Sequence, residues 1–287
     1  MATKILVTGA TGAIGKALIK DLQEKNIAFF AGTRNVEESK AKLGLSEELV
    51  SFSFDNPATF EAATAGVDKV FLLGPAMVLE MDHLINPFLD FLKSKGILRV
   101  VYLSALKSDQ MGPDMTFHLK TEAKLANDGF DYTILRASFF AQNFKNYEWE
   151  NITQRGITLA TAGDGKVGFI DVADIAAVAS AVLSEEGHSK KTYELTGPEA
   201  LSYFDAATIL SEVTGKTIVY PQPSPEQYVT ILKEAGAPDF VASYMNSVYS
   251  VIANHHVGFT TNDVEKVTGR KPNTLKSVIN SDFSTIK

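Results

Sequence analysis

The densest chemistry in this chain lies in Gly9-Ala10-Thr11-Gly12-Ala13-Ile14-Gly15, which follows the apolar run Ile5-Leu6-Val7 directly. In a strand–loop–helix setting each glycine has its own task. Gly9 permits the tight turn, Gly12 lets the backbone approach a pyrophosphate, and Gly15 lets helix and strand pack closely. The helix that follows turns its unpaired N–H groups and its dipole toward the phosphates. The spacing is GxxGxxG, with the first glycine one place from its position in the commonest GxGxxG fingerprint. Thr8, Gly9, Ala10, Thr11, Gly12, Ala13, Ile14 and Gly15 are therefore the expected dinucleotide cradle.

A second cue concerns the ribose. An NAD site usually places an Asp or Glu about 20 residues on, to hold the 2′-hydroxyl. Here Gly32-Thr33-Arg34-Asn35 has no carboxylate, and Arg34 stands 19 residues after Gly15. A guanidinium suits a 2′-phosphate through charge and bidentate geometry, so NADP (NADPH) is the expected cofactor. The bland alternative for Arg34 is a solvated surface residue. Asp55 has two readings: it accepts from the adenine amino group, or it caps the next helix together with Asn56. Leu73-Gly74-Pro75 is either a close backbone approach to the cofactor or a plain turn.

Proton-transfer candidates are few. His118 shares a helical face with Thr121, Glu122 and Leu125, and Glu122 at i+4 is placed to orient the ring or raise its pKa. It serves as acid, or it only holds the cofactor ribose. The adjacent His255 and His256 diverge and make a poor chelating pair. With no cysteine in the chain there is no thiolate nucleophile, disulfide or iron–sulfur ligation, and no metal site is expected.

The elements that must position these groups follow from periodicity. Apolar runs such as Ile5-Leu6-Val7 and Val100-Val101-Tyr102-Leu103 lack strict alternation and read as strands buried on both faces. Strands are expected at 4–8, 28–33, 50–54, 69–73, 99–104 and 132–136, with helical spacing such as Ile14, Leu18, Leu22 between them. The architecture is α/β: a Rossmann-type doubly wound parallel sheet with a smaller, mainly helical C-terminal lobe. The dinucleotide domain is set at 1–155, its sheet completed by 172–196, and the substrate lobe at 156–171 and 197–287. Gly96 and Gly129 read as glycines ending helices, and Ser202 with Asp205 as a cap. Pro87 is expected to kink or split the helix through 78–92.

The 287 residues are 45% hydrophobic and 21% charged, enough for a substantial core. A formal charge of −7 argues against a nucleic-acid surface. The N-terminal residues lack a secretory h-region, and no run reaches the roughly 18 apolar residues of a membrane span, so a cytoplasmic protein is expected.

The order of pieces resembles the NmrA-like group of atypical short-chain dehydrogenase/reductases, and within it the NADPH-dependent quinone-reductase-like members. The carrying segments are Val7–Gly15, Thr33-Arg34-Asn35 and His118-Leu119-Lys120-Thr121-Glu122, then Asp131-Tyr132-Thr133-Ile134-Leu135-Arg136 and Phe139-Phe140-Ala141-Gln142-Asn143. Asp171-Val172-Ala173-Asp174-Ile175-Ala176 and Tyr193-Glu194-Leu195-Thr196-Gly197-Pro198 complete the order. The resemblance implies that the loop at Thr8–Ala13, Arg34, Asp55, Leu73, Gly74, Pro75, and Ser138, Phe139, Phe140 and Ala141 line the cofactor site. It places His118 near the nicotinamide ribose, where many relatives carry Lys, and gives most of the substrate cleft to the smaller lobe.

Typical members of the wider superfamily reduce carbonyls with Ser and Tyr-x-x-x-Lys. No lysine here has a tyrosine four residues before it, and Ser104 holds the Ser position without those partners. An aliphatic alkoxide needs an acid, whereas a quinone yields a phenolate-type oxygen whose conjugate acid has a pKa near ~10. Cationic conjugated acceptors need less still, because hydride neutralises them. The expected activity is hydride transfer from NADPH to a quinone or similar planar conjugated small molecule. The alternative is a non-catalytic NADP(H) sensor acting through a protein partner.

Overall fold

The computed structural model describes residues 4–284. Its strands are β1 (Ile5–Val7), β2 (Phe29–Thr33), β3 (Leu49–Ser51), β4 (Lys69–Leu72), β5 (Arg99–Ala105), β6 (Asp131–Ala137), β7 (Lys166–Val167), β8 (Lys191–Leu195) and β9 (Leu201–Ser202). Seven of them form one sheet in the order β3-β2-β1-β4-β5-β6-β8, and β7 pairs antiparallel with β9. β1 runs parallel to both β2 and β4, with Ile5 opposite Phe29 on one side and Lys69 on the other. The order reverses between β1 and β4, which opens a crevice at their carboxyl ends, the place where doubly wound sheets bind ligands. All three β1 residues are buried, which explains why their hydrophobicity does not alternate.

The helices are α1 (Ala13–Glu24), α2 (Val36–Leu43), α3 (Phe60–Ala63), α4 (Met81–Ser94), α5 (Phe117–Asn127), α6 (Asn143–Asn146) and α7 (Val172–Ser184). They continue with α8 (Tyr203–Thr214), α9 (Pro225–Glu234), α10 (Asp239–Ala253), α11 (Asp263–Thr268) and α12 (Leu275–Asp282). α1 buries Ile14, Gly15, Leu18, Ile19 and Leu22, and packs on α7. Each large aliphatic side chain removed from water there contributes about 1.5–3 kcal/mol. Gly96 and Gly129 take positive φ after α4 and α5, and Ser202 with Asp205 forms a reciprocal capping box at α8.

Two elements differ from the sequence reading. β3 stops at Ser51, because Phe52 turns into an aromatic cluster with Phe54, Phe60 and Phe88, so Asp55 lies beyond the strand in a turn. Pro87 sits inside α4 without dividing it. The lost N–H bond is outweighed by burial of Ile85, Phe88, Leu89 and Leu92 on the same helix.

The chain clusters into two compact units. Among the described residues, one comprises those up to Ala105, Phe117–Arg136 and Val172–Tyr193; the other comprises Leu106–Thr116, Ala137–Asp171 and those from Glu194 to Ser284. Residues 137–155 thus group with the C-terminal region rather than with the sheet, because the chain leaves the sheet at the end of β6.

Candidate dinucleotide and acceptor site

The glycine loop is shaped by backbone contacts. Gly9 has φ +63°, and a Cβ there would stand 2.9 Å from Leu73 Cδ2. A Cβ on Gly15 would fall 2.3 Å from the Gly9 carbonyl oxygen and 2.6 Å from Ala10 Cα, so only glycine lets α1 start this close to the loop. Thr8 is buried; its hydroxyl accepts from Leu73 N–H at 2.8 Å and lies 3.1 Å from the Phe71 and Leu73 carbonyls. That side chain braces β1 to β4 across the switch point. Ala10 and Ile14 are buried, whereas Gly9, Thr11, Gly12 and Ala13 are exposed.

A pyrophosphate fits this loop. Gly12 is the N-cap of α1 and supplies no side-chain cap, and the first turn holds no acidic residue. The first amides of the helix are therefore left for an anion. At the end of β2, Asn35 Oδ1 accepts from Glu38 N–H and starts α2, which sets Arg34 just before the helix. Glu37 and Glu38 pair with Lys40 and Lys42, leaving the exposed Arg34 without an ion-pair partner among the described residues.

Asp55 is exposed and accepts from Ser53 Oγ; neither it nor Asn56 caps the short 3₁₀ turn Pro57–Thr59 through its side chain. At Gly74 the close approach is to α4, since a Cβ would lie 2.3 Å from Met81 Sδ. Leu73 is half-buried and Pro75 exposed.

β5 and α5 meet as a ladder. Tyr102 and Ser104 project from the same face of β5, and His118 and Glu122 are one turn apart on α5. Tyr102 Oη lies 2.7 Å from His118 Nδ1, and Ser104 Oγ donates to Glu122 Oε1 at 2.6 Å. Arg136 on β6 closes the second rung with two bonds to Glu122, at 3.1 and 2.5 Å. Both Glu122 oxygens are thereby engaged away from His118. The expected Glu122–His118 contact is not made, because the arginine on the next strand takes the carboxylate. Burial lowers the His118 pKa to about 4, so the imidazole is neutral at physiological pH. Ser104 is buried with its proton committed to Glu122.

The segment after β6 lies in the second unit. Ser138 is buried, its N–H donates to Leu195 O, and its Oγ has no hydrogen-bond partner among the described residues. Phe140 bridges to Ile170, Ala141 is buried, and Phe139 stacks on Tyr249 with ring centroids 6.1 Å apart. Tyr249 belongs to a cluster with Tyr203 and Tyr228, and Tyr203 continues it to Tyr220. Nearby Glu148 is buried; Thr158 Oγ1 and Leu159 N–H both donate to its Oε2. Burial nevertheless raises its pKa to about 7. Tyr147 is 65% exposed and stands clear of this cluster, and Trp149 stacks on Phe283.

Tyr102, Glu148 and the tyrosine cluster were not singled out from sequence. Tyr102 reads as one more apolar residue in a buried strand, and Glu148 lies in a polar stretch that reads as surface. Among the described residues no group of three His, Asp or Glu side chains can hold a metal, and no helix is long and apolar enough to cross a membrane.

Comparison with known proteins places this geometry. A model of the NmrA-like family matches residues 1–286. An NAD(P)H azoreductase of Xenophilus azovorans is 30% identical over 276 residues, covering 94% of this chain and 95% of the relative. An Escherichia coli NADPH-dependent quinone oxidoreductase, solved in complex with NADPH, superposes with a TM-score of 0.86 at 28% identity, over 97% of this chain and 99% of that one. A Citrobacter triphenylmethane reductase complexed with NADP(H) gives 0.84 at 27% identity, over 97% and 99%.

Proposed function

Because the chain belongs to the NmrA-like family, we propose that it is an NADPH-dependent reductase delivering hydride to a quinone or similar conjugated acceptor. The observation that carries this reading is the uncapped GxxGxxG turn at the β1–β4 switch point, with no room for a side chain at Gly9 or Gly15. In this reading the amides of the loop and of the α1 N-terminus hold the pyrophosphate, and Arg34 holds the 2′-phosphate. Backbone at Leu73, Gly74 and Pro75 borders the same crevice. Asp55 is offered to the adenine.

The bound cofactor supplies hydride. The protein aligns the acceptor with it and keeps water out. The quinone, azo and dye reductases among the relatives are consistent with acceptors that need little acid assistance.

The test is NADPH oxidation across quinones, cationic dyes, azo compounds and enones, beside direct titration with NADPH, NADP and NADH. Turnover with at least one conjugated acceptor and preference for NADPH are expected. Tight NADPH binding with no turnover across the panel would replace the reductase with a dinucleotide sensor.

A further inference from the structure

We propose that Tyr102 fixes His118 as the neutral Nε2–H tautomer, so that His118 offers the bound acceptor a hydrogen bond and not a proton. The inference rests on the reductase reading for its functional half; its structural half stands on the Tyr102–His118 contact.

In a 2.7 Å contact between a phenol and an imidazole, one proton lies between the heavy atoms. The phenol is the stronger proton donor of the two, and an imidazole nitrogen accepts more strongly than a phenol oxygen. The proton therefore comes from Tyr102 Oη, and Nδ1 accepts. A neutral ring with Nδ1 occupied as acceptor must carry its own hydrogen on Nε2. Thr121, the phenol's other hydrogen-bonding neighbour, gives its own proton to the Phe117 carbonyl at 3.0 Å, and its hydroxyl oxygen is a weaker acceptor than an imidazole nitrogen, so the phenol's proton goes to Nδ1. His118 Nε2 has no hydrogen-bond partner among the described residues, and the ring is only half-buried. The donor is thus made on one side and left available on the other.

The surroundings keep a second proton off the ring. Around the pair, α4 brings Asp82 and His83, α5 brings Lys120 and Glu122, and β6 brings Arg136. Asp82 lies 3.6 Å from Lys120 Nζ and 3.7 Å from His83 Nε2, and Glu122 is held by Ser104 and Arg136. Among the described residues no carboxylate contacts the imidazole to stabilise an imidazolium. Proton passage through the pair, from Tyr102 to His118 to acceptor, would leave a tyrosinate where burial strongly opposes one. Hydride from the bound reduced nicotinamide, oxidised in the exchange, would reach the acceptor, and the proton that completes the reduction comes from solvent once the reduced product has left the water-free site.

The tautomer is read from long-range 1H–15N spectra of the histidine-labelled full-length chain with NADP bound, between pH 5.5 and 8. His118→Gln provides the assignment. Expected is an unprotonated Nδ1 and a protonated Nε2, without titration in that window. In Tyr102→Phe the same signal should move toward a mixture of tautomers. A wild-type Nδ1–H tautomer, or a midpoint between pH 6 and 7, overturns the assignment even if the variant fails to fold.

The second readout is rescue. Gln carries an amide N–H but cannot transfer a proton under these conditions, so His118→Gln should keep kcat within about threefold of wild type while His118→Ala loses about tenfold. Equal loss in both variants overturns the donor role. If the spectra show the expected tautomer and no acceptor turns over, the reductase reading fails and the Tyr102–His118 assignment stands.

Discussion

At His118 in one unit and Glu148 in the other, burial shifts the equilibrium toward the neutral form, yet against opposite charges. At His118 the one hydrogen-bond partner among the described residues is a neutral phenol, and none of their carboxylates contacts the ring to reward its charged form. At Glu148 two donors, Thr158 Oγ1 and Leu159 N–H, favour the carboxylate, and desolvation still dominates. Hydrogen bonds alone did not set either state; removal of water did. The tyrosines around Glu148 repeat the lesson, with Tyr228 pushed up to about 12 and Tyr203 and Tyr249 raised well above their usual value. One interior resists a cation at its histidine and the other resists an anion at its glutamate. By contrast, the loop at Gly9–Gly15 invites charge, because it is built from exposed backbone amides.

That contrast between a backbone site and side-chain sites predicts where damage is greatest. Gly15→Val places side-chain carbons against the Gly9 carbonyl oxygen and Ala10, where even a Cβ stands at 2.3 Å. We expect NADPH affinity to fall more than about 100-fold, with destabilisation of a few kcal/mol. Titration calorimetry and urea unfolding measure the two effects. Affinity within about tenfold of wild type would show that the loop does not carry the dinucleotide.

The opposed titrations predict the next largest effect. Glu148 has a folded pKa of about 7 against an ordinary 4.5, so its contribution to stability is full below pH 4.5 and is lost as pH rises to 7. At 1.36 kcal/mol per unit this is about 3 kcal/mol. His118 has a folded pKa of about 4 against 6.5, so its contribution is full above pH 6.5 and is lost as pH falls to 4. Partial exposure of the ring trims that to about 2–3 kcal/mol. Between pH 4.5 and 6.5 the two slopes cancel in part. Glu148→Gln should therefore make stability rise with pH across that interval, and His118→Gln should make it fall. Urea unfolding at half-unit pH steps checks both signs, and two variants no steeper than wild type would dissolve the comparison.

The sequence made one half of this comparison much more legible than the other. The loop is readable because Gly9 is set by its positive φ and Gly15 by backbone collisions, and its strand and helix by local periodicity. Arg34 is readable because a strand end is a fixed place in a doubly wound sheet. Chain-end signals at Gly96, Gly129 and Ser202 are equally local. Tyr102–His118 and Glu148–Thr158 are contacts between elements, so their partners depend on packing. Glu122 shows the consequence: helical spacing put it beside His118, and a strand arginine in the tertiary fold took it away. Pro87 fails for the same reason, since propensity cannot weigh the buried face of α4.

Arg34→Ala probes a charge that the fold leaves in solvent. A guanidinium bonded to a 2′-phosphate contributes about 1.5–3 kcal/mol, so NADPH affinity should drop roughly 10- to 100-fold while NADH affinity stays within about twofold. Equal effects on both dinucleotides would sever Arg34 from the phosphate and leave it a surface residue.

Ser104→Ala gives the smallest and most discriminating effect, because Ser104 lies two residues from Tyr102 on the same face of β5. The two rungs look alike, each a hydroxyl on β5 bonded to a side chain on α5. They differ in what lies beyond. His118 Nε2 has no partner among the described residues, whereas Glu122 is closed off by Arg136. Removing the Ser104 hydroxyl costs the fold about 1–2 kcal/mol, since Glu122 keeps its arginine but loses a buried donor. Turnover should stay within about twofold, measured by NADPH oxidation at saturating acceptor. A loss as large as that of His118→Ala would mean that the second rung also reaches the reacting groups, and that the serine position acts without its usual tyrosine and lysine.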